Sequence, residues 1–306
     1  MTASLLPRPD LPRGRQLLTP AGLAALLGDP SQQGCRLFEV GSGAPQQSLL
    51  QAHIPGAAYL DTEWLEHGPF WNKLADAELL ALLLALGVRH DSTVLLYGRN
   101  SCAVGRAAHL LLYAGVRDVR MLDGGLAAWL RDGRNTAAGP PAARYPAQPD
   151  FGVPFPACPQ YLSVLAQMQA MVNLAEDNPL VSIRSWDEHI GLTSGYSYID
   201  AKGEIPGARW GRAGRGDDVN SMSAYQDDYG CLLPAAEIQR FWAEAGIVAD
   251  KPAVFFCGTG WRASLAFFYA WLMGFEQISV FDGGWMEWSG RAGSFPSDQR
   301  SVPSTD

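Results

Sequence analysis

Residues 246–288 read GIVADKPAVFFCGTGWRASLAFFYAWLMGFEQISVFDGGWMEW, and residues 87–129 read GVRHDSTVLLYGRNSCAVGRAAHLLLYAGVRDVRMLDGGLAAW. The two stretches align without a gap at an offset of 159 residues. The offset pairs Trp129 with Trp288 and the Asp-Gly-Gly triplet at 123–125 with the triplet at 282–284. Self-similarity at a fixed spacing is typical of a repeated structural unit. The sequence therefore predicts a tandem duplication.

The duplication continues upstream of these stretches. HIPGAAY at 53–59 resembles EIPGARW at 204–210, and CRLFEVGS at 35–42 resembles NPLVSIRS at 178–185. In each copy, nearly continuous apolar strands alternate with helices, which is typical of a parallel sheet covered on both faces. We therefore expect two α/β domains, each with its own core. The predicted strands are 36–40, 93–97, 119–122, 180–183, 253–256 and 278–281, and the predicted helices are 75–86, 103–113, 234–245 and 263–273.

A proline-rich segment separates the two copies. Residues 137–159 contain seven prolines, and proline sustains neither a helix nor a central strand. We expect an N-terminal domain at 16–136, a linker at 137–159 and a C-terminal domain at 160–293.

Composition excludes several classes of protein. The chain has 306 residues, of which 47% are apolar and 18% charged, so a mainly disordered chain is excluded. The net charge of −8 argues against binding to nucleic acid or to anionic lipid. Five widely spaced cysteines without a C-x-x-C pair, and histidines without an H-x-x-x-H pattern, predict no disulfide framework, metal or cofactor. With no apolar stretch long enough to span a membrane, we expect a cytoplasmic protein.

The copies differ most in the loop after the central strand. The first copy reads YGRNSCAVGR at 97–106 and the second FCGTGWRAS at 256–264, so Cys257 takes the place of Gly98. In open α/β sheets, ligands bind at the carboxyl ends of the strands. The unpaired N–H groups at a helix start favour an anion there. The loop thus predicts a nucleophilic thiolate at Cys257.

The residues after Cys257 fit the same interpretation. Gly258 and Gly260 let the backbone curl around the sulfur, Thr259 adds a hydroxyl group, and Arg262 adds a cation. Although the charge surplus falls on the second copy, we expect its loop to be locally cationic.

The C-G-T-G-W-R loop, the following D-G-G-W, the I-P-G-A turns and the duplication together resemble the tandem-domain rhodanese-like sulfurtransferases, which act on thiosulfate or 3-mercaptopyruvate. The resemblance covers about residues 30–135 and 175–290. It implies two rhodanese-like domains, each a parallel sheet with helices on both faces. It also implies that only the second domain carries the nucleophile, in agreement with Gly98 and Cys257.

The resemblance implies a mechanism through a persulfide of Cys257. Backbone N–H groups from Gly258 to Arg262 would stabilise the sulfur anion, and Arg262 would pair with the anionic donor. The acceptor would be a thiol, such as a thioredoxin-like protein, or cyanide. Arg184, in S-I-R where the family has D-x-R, would be a second anion contact, although Ser182 replaces the usual aspartate. The Trp261-Arg262 pair also departs from the Val-Thr that usually follows in the family.

Several alternatives stay open. Arg184 fits an ordinary salt bridge equally well, and Trp261 fits either a pocket wall or a domain contact. The sequence leaves the choice of donor open. Cysteine phosphatases and arsenate reductases also end a cysteine loop with arginine, but they use C-x5-R, whereas Cys257 to Arg262 is C-x4-R. A non-catalytic docking or redox-sensing module is the remaining alternative.

Overall fold

The computed structural model describes residues 8–32, 34–43, 48–140, 145–172, 179–215 and 218–291. Residues 141–144 of the predicted linker and 292–293 of the predicted C-terminal domain lie outside the described residues. The described residues form two five-stranded parallel sheets and one short antiparallel hairpin.

The first copy forms a sheet in the order β1-β7-β6-β2-β3, and β4 and β5 form the hairpin. Short 3-10 turns occur at Gly14–Gln16, Pro30–Gln32 and Thr62–Trp64. The elements are β1 (Leu17–Leu18), α1 (Pro20–Gly28), β2 (Arg36–Gly41), β3 (Ala58–Asp61), β4 (Glu66–His67), β5 (Asn72–Lys73), α2 (Asp76–Ala85), β6 (Thr93–Gly98), α3 (Ser101–Ala114), β7 (Asp118–Leu122) and α4 (Gly125–Arg131).

The second copy forms a sheet in the order β10-β9-β11-β12-β8, which repeats the order of the first sheet. A 3-10 turn at Pro159–Tyr161 precedes it. The elements are β8 (Leu162–Ser163), α5 (Leu165–Val172), β9 (Leu180–Ser182), α6 (Trp186–His189), β10 (Arg209–Trp210), α7 (Ala235–Glu244), β11 (Ala253–Phe256), α8 (Trp261–Leu272), β12 (Ile278–Phe281) and α9 (Gly284–Gly290).

The offset found in the sequence is also the offset between helices. Helices α2 and α7 begin and end 159 residues apart, and so do α4 and α9. The central strand β11 is buried along its whole length, as its continuous apolar residues predict. The prediction of two tandem α/β domains with parallel sheets is confirmed.

The two copies pack together through α3 and α8. Every residue of α3 except Ser101, and every residue of α8 except Trp261, is buried. A Cβ atom on Gly105 would lie 2.6 Å from the Cα atom of Leu265, so glycine permits the close approach of the helices. The largest apolar cluster contains residues of both copies, and smaller clusters lie apart from it. Each domain therefore has a cluster of its own, as predicted, but the largest cluster is shared through the central helices.

The connector packs on the domains that it joins. Phe151 is buried and contacts the Phe155 ring edge-on, with the ring centroids 5.2 Å apart. The Tyr145 hydroxyl accepts a hydrogen bond from the Leu37 N–H group at 2.7 Å. None of the helices in the described ranges is both long and apolar enough to cross a membrane.

Candidate active site

Cys257 follows β11 directly, and its side chain is fully buried. The Gly260 N–H group donates a hydrogen bond to the Cys257 Sγ atom at 3.2 Å. Gly260 is the N-cap of α8, has a φ of +97° and provides no side chain to cap the helix. The first N–H groups of a helix have no partner within the helix. The sulfur atom therefore lies at the start of α8 and accepts a hydrogen bond from the N-cap residue.

The loop around Cys257 is confined from two sides. A Cβ atom on Gly258 would lie 2.2 Å from the Tyr196 ring, so the backbone passes directly beneath that ring. On the other side, the Trp285 N–H group donates to the Cys257 carbonyl oxygen at 2.7 Å, and the Met286 N–H group donates to the Gly258 carbonyl oxygen at 3.0 Å. The D-G-G-W segment thus fixes the course of the loop.

Arg262 is buried and binds Glu188 with both of its terminal nitrogens, at 2.8 Å each. It also donates to the Tyr196 hydroxyl at 2.8 Å. Although burial opposes ionisation of Glu188, the guanidinium of Arg262 outweighs it and lowers the pKa of Glu188 to about 2. Arg262 therefore fixes the segment that covers Cys257, and a donor anion would compete with Glu188 for it.

Arg184 is also fully buried. It donates to the Gly203 carbonyl oxygen at 2.7 Å, and its Nε atom lies 3.5 Å from the Glu188 carboxylate. Its guanidinium carbon lies 5.2 Å from the centre of the Trp285 ring. This placement corresponds to the salt-bridge alternative of the sequence analysis. The expectation that the loop of Cys257 is locally cationic is wrong, since carboxylates lie beside both Arg184 and Arg262.

Ser182 takes part in a neighbouring polar cluster. Its hydroxyl donates to Glu204 at 2.5 Å, and the His189 Nδ1 atom lies 2.8 Å from the same carboxylate oxygen. Glu204 also lies 3.7 Å from Arg184. A carboxylate is therefore present beside Arg184, although Ser182 replaces the aspartate of the family pattern.

Trp261 contacts the first domain. Its indole N–H group donates to Glu66 at 2.6 Å, and Glu66 also accepts from Arg106 at 2.8 Å. Arg106 in turn lies 2.6 Å from Asp282, which accepts from the Lys73 N–H group at 2.8 Å. This buried inter-domain cluster links the first turn of α8 to the D-G-G-W segment. Trp261 thus makes the domain contact that the sequence left open.

Two cavities adjoin the loop, and Tyr196 lines both of them. One has a volume of about 570 Å³ and is lined by Arg262 and Arg215 among others. The other, of about 420 Å³, lies between the domains and is lined by Thr259 and Trp261. Because Cys257 is fully buried, a substrate reaches it only when a covering side chain moves.

The sequence predicts a longer loop of the second copy at 186–198, as a rim of the pocket, but it does not single out side chains within it. Glu188, Tyr196 and Tyr198 all lie in this stretch. The sole signal was its content of aromatic and acidic residues. In the part of the chain that the structure describes, no group of three or more His, Cys, Asp or Glu side chains is placed to hold a metal ion.

Comparison with known proteins identifies the family of the two domains. The rhodanese-like domain matches residues 19–132 and again 165–291. Thiosulfate sulfurtransferase YnjE of Escherichia coli is 48% identical over 254 residues, which are 83% of this chain and 57% of the relative. The chain thus spans little more than half the length of YnjE. Sulfur carrier protein TtuD of Thermus thermophilus is 28% identical over 259 residues, 79% of this chain and 84% of that protein.

Solved structures agree with this comparison. The crystal structure of YnjE superposes with a TM-score of 0.89 at 43% identity, covering 95% of this chain and 70% of that one. The anaerobic ergothioneine biosynthesis enzyme of Chlorobium limicola, solved with its natural substrate trimethyl histidine, has a TM-score of 0.86 at 32% identity, covering 95% and 72%. A structure of a protein named EanB, with a cysteine persulfide and ergothioneine, has a TM-score of 0.88 at 32% identity, covering 95% and 72%. The protein belongs to the rhodanese-like domain family and contains two tandem copies of that domain.

Proposed function

We propose that this protein is a sulfurtransferase that carries sulfur as a persulfide of Cys257. The observation that carries the proposal is the Cys257 Sγ atom at the uncapped start of α8, 3.2 Å from the Gly260 nitrogen. The names of the relatives support it, since YnjE is a thiosulfate sulfurtransferase. The persulfide in the EanB structure supports the same intermediate.

In the first half-reaction, the Cys257 thiolate attacks the outer sulfur of thiosulfate. A bond forms between the two sulfur atoms, and the bond to the sulfonate sulfur breaks, so that sulfite leaves with the electron pair. With 3-mercaptopyruvate as donor, the same sulfur–sulfur bond forms and the carbon–sulfur bond breaks. The electron pair leaves on carbon as the enolate of pyruvate, which takes up a proton. Fixed N–H groups at the helix start stabilise the charge on sulfur in the transition state.

The site residues then fall into two groups. Gly260 donates its N–H group to the sulfur, and Gly258 and Thr259 complete the loop between them. The backbone from Gly258 to Arg262 would supply further N–H groups to the sulfur of the persulfide. Arg262 and Arg184 act as positioning residues, because their guanidinium groups hold Glu188 and the covering segment. Thiol acceptors, including a thioredoxin-like protein, would remove the outer sulfur.

Intact mass spectrometry tests the proposal. After incubation with thiosulfate or 3-mercaptopyruvate, the protein should gain one sulfur atom, about 32 Da. Cys257→Ser should abolish this gain of mass. Cys102→Ser should retain it, because the Cys102 thiol is buried and donates a hydrogen bond to the Asn220 carbonyl oxygen. Comparing the two donors identifies the preferred one. The absence of any adduct with either donor would favour the docking module, and hydrolysis of aryl phosphates without sulfur transfer would favour the phosphatase.

A second candidate is sulfur transfer to a trimethyl histidine, as in the Chlorobium limicola enzyme. The EanB structure with the persulfide is of a variant in which one tyrosine is replaced. The persulfide cysteine lies as many positions after that tyrosine as Cys257 lies after Tyr198. A substituted threonine follows the EanB cysteine by two positions, as Thr259 follows Cys257. Incubation of the persulfide form with trimethyl histidine, followed by mass spectrometry of the small molecule, tests this candidate. An unchanged trimethyl histidine would exclude it.

A further inference from the structure

The inter-domain cavity of about 420 Å³ has aromatic walls. Trp71, Tyr196, Tyr198 and Trp261 line it, and Thr259 connects it with the loop of Cys257. The Arg262 guanidinium carbon already lies 5.5 Å from the centre of the Tyr196 ring, so the rings that remain for a ligand are those of Trp71, Tyr198 and Trp261. Trp71 and Tyr198 leave 38% and 54% of their surface exposed. The faces of such rings carry negative electrostatic potential and attract cations.

The charged residues of this cavity are acidic. Glu63 and Glu66 line it, and no lysine or arginine does so within the described ranges. Glu66 already binds Arg106 and Trp261, whereas Glu63 is exposed at the rim. The chain as a whole carries a net charge of −8. A dianion is therefore repelled from this cavity, and a cation is attracted.

Trp71 is held at the cavity in a strained conformation. Its φ is +60°, which is an outlier for a bulky residue. Its carbonyl oxygen accepts a hydrogen bond from the buried Arg106 at 3.2 Å. Strain of this kind persists where the surrounding structure enforces it and is found at ligand sites. Arg106 thus keeps the Trp71 ring at the wall of the cavity.

From these contacts, we infer that the inter-domain cavity binds a sulfur acceptor that carries a positive charge, such as an alkylammonium thiol. The inference rests on the proposed sulfur transfer and adds the class of acceptor. The acceptor thiolate attacks the outer sulfur of the Cys257 persulfide and forms a new sulfur–sulfur bond. The bond between the outer sulfur and Sγ breaks, and its electron pair stays on Cys257 as the thiolate. The acceptor leaves with the outer sulfur as its own persulfide.

The test compares four small thiols of different charge. Protein loaded with sulfur from thiosulfate is mixed with thiocholine, cysteamine, 2-mercaptoethanol or 3-mercaptopropionate, and loss of the added sulfur is followed by quenched mass spectrometry. Rates are expressed per thiolate, because the thiols differ in pKa. For each cationic thiol, the rate is divided by the rate of 3-mercaptopropionate. We expect this ratio to be at least about fivefold larger with the protein persulfide than with a free small-molecule persulfide. A ratio equal to that of the free persulfide would overturn the inference.

Matched variants locate the effect. Trp71→Leu and Glu63→Gln should each reduce the preference for cationic thiols at least about twofold. Trp64→Leu and Glu276→Gln should leave it unchanged, since both residues are exposed and neither lines the cavity. An equal preference in all four variants would place the selectivity elsewhere. Loading from thiosulfate is recorded for every variant, so that failure of the proposed function (no loading) is distinguished from failure of this inference (loading without charge preference).

Discussion

The two loops that follow the central strands show how one fold gives a capped helix start and an uncapped one. In the first copy, the Asn100 side chain accepts hydrogen bonds from the N–H groups of Cys102 and Ala103, at 2.9 and 3.4 Å. In the second copy, no side chain caps α8, and an N–H group at its start binds the Cys257 sulfur. A helix start that binds its own asparagine offers fewer free amides to a ligand. Loss of the cap therefore accompanies gain of the nucleophile.

The two Asp-Gly-Gly aspartates show a related difference. Each accepts a hydrogen bond from the other domain: Asp123 from the Leu232 N–H group and Asp282 from the Lys73 N–H group, both at 2.8 Å. The two donors are themselves 159 residues apart. Only Asp282 has a buried arginine, Arg106, as its close partner. Equivalent backbone contacts thus support different charge environments.

The largest effect is expected for Asp282→Asn. The change leaves the buried Arg106 with Glu66 as its remaining close carboxylate, and breaking a buried ion pair costs about 3 kcal/mol or more. Urea denaturation at pH 7 measures this loss. The control is Asp118→Asn, whose pair with Arg120 is partly exposed and should contribute less than about 1 kcal/mol. Equal losses of unfolding free energy in Asp282→Asn and Asp118→Asn would contradict the expected difference between the buried and the partly exposed ion pair.

Asp123→Asn is expected to have the opposite sign. Burial raises the pKa of Asp123 to about 6, against the lowering effects of the Leu232 N–H group and Arg8. The pKa of Asp123 is therefore higher in the folded protein than its unfolded value of about 3.8. The contribution of this group to the stability of the fold is lost as the pH rises from about 3.8 through 6. The variant should therefore be more stable than the wild type by about 1–3 kcal/mol at pH 7.5. At pH 4 the two should be nearly equal, so the same gain at both pH values would rule out this explanation.

Gly98→Cys tests whether a thiol alone restores the first site. A Cβ atom on Gly98 would lie 2.5 Å from the Val40 carbonyl oxygen and 2.7 Å from Val104, so the change should cost about 1–3 kcal/mol. We expect the variant to take up one sulfur atom per chain, as the wild type does. Gly98→Ala is the control for the steric cost. Uptake of two sulfur atoms would show that the asparagine cap does not close the site.

The smallest effect is expected for Asn100→Ala. Removal of an N-cap side chain costs about 1 kcal/mol, and sulfur loading at Cys257 should be unchanged. Thermal unfolding and mass spectrometry measure the two quantities, with Ser101→Ala as the control for truncation at the same helix start. Unchanged unfolding in Asn100→Ala would mean that the asparagine does not stabilise α3.

The sequence was sufficient where local pattern determines structure. The repeat predicted α2 and α7 to within one residue at each end, because their apolar spacing and neighbouring turns are local features. It also singled out Cys257, since the aligned copy has glycine there. It did not predict the partners of Arg262 and Trp261. Glu188 and Glu66 are 74 and 195 positions away from them, and only the folded chain brings these groups together.

The contact between Gly105 and Leu265 limits how this chain can be divided. Helices α3 and α8 are buried almost completely, largely against each other. A fragment cut at the connector would expose the apolar surface of one of these helices to water. Large exposed apolar patches promote aggregation. Each copy therefore needs the other to keep its central helix covered. A substitution at Gly105 in the first copy is expected to displace Leu265 on α8, the helix that follows the loop of Cys257.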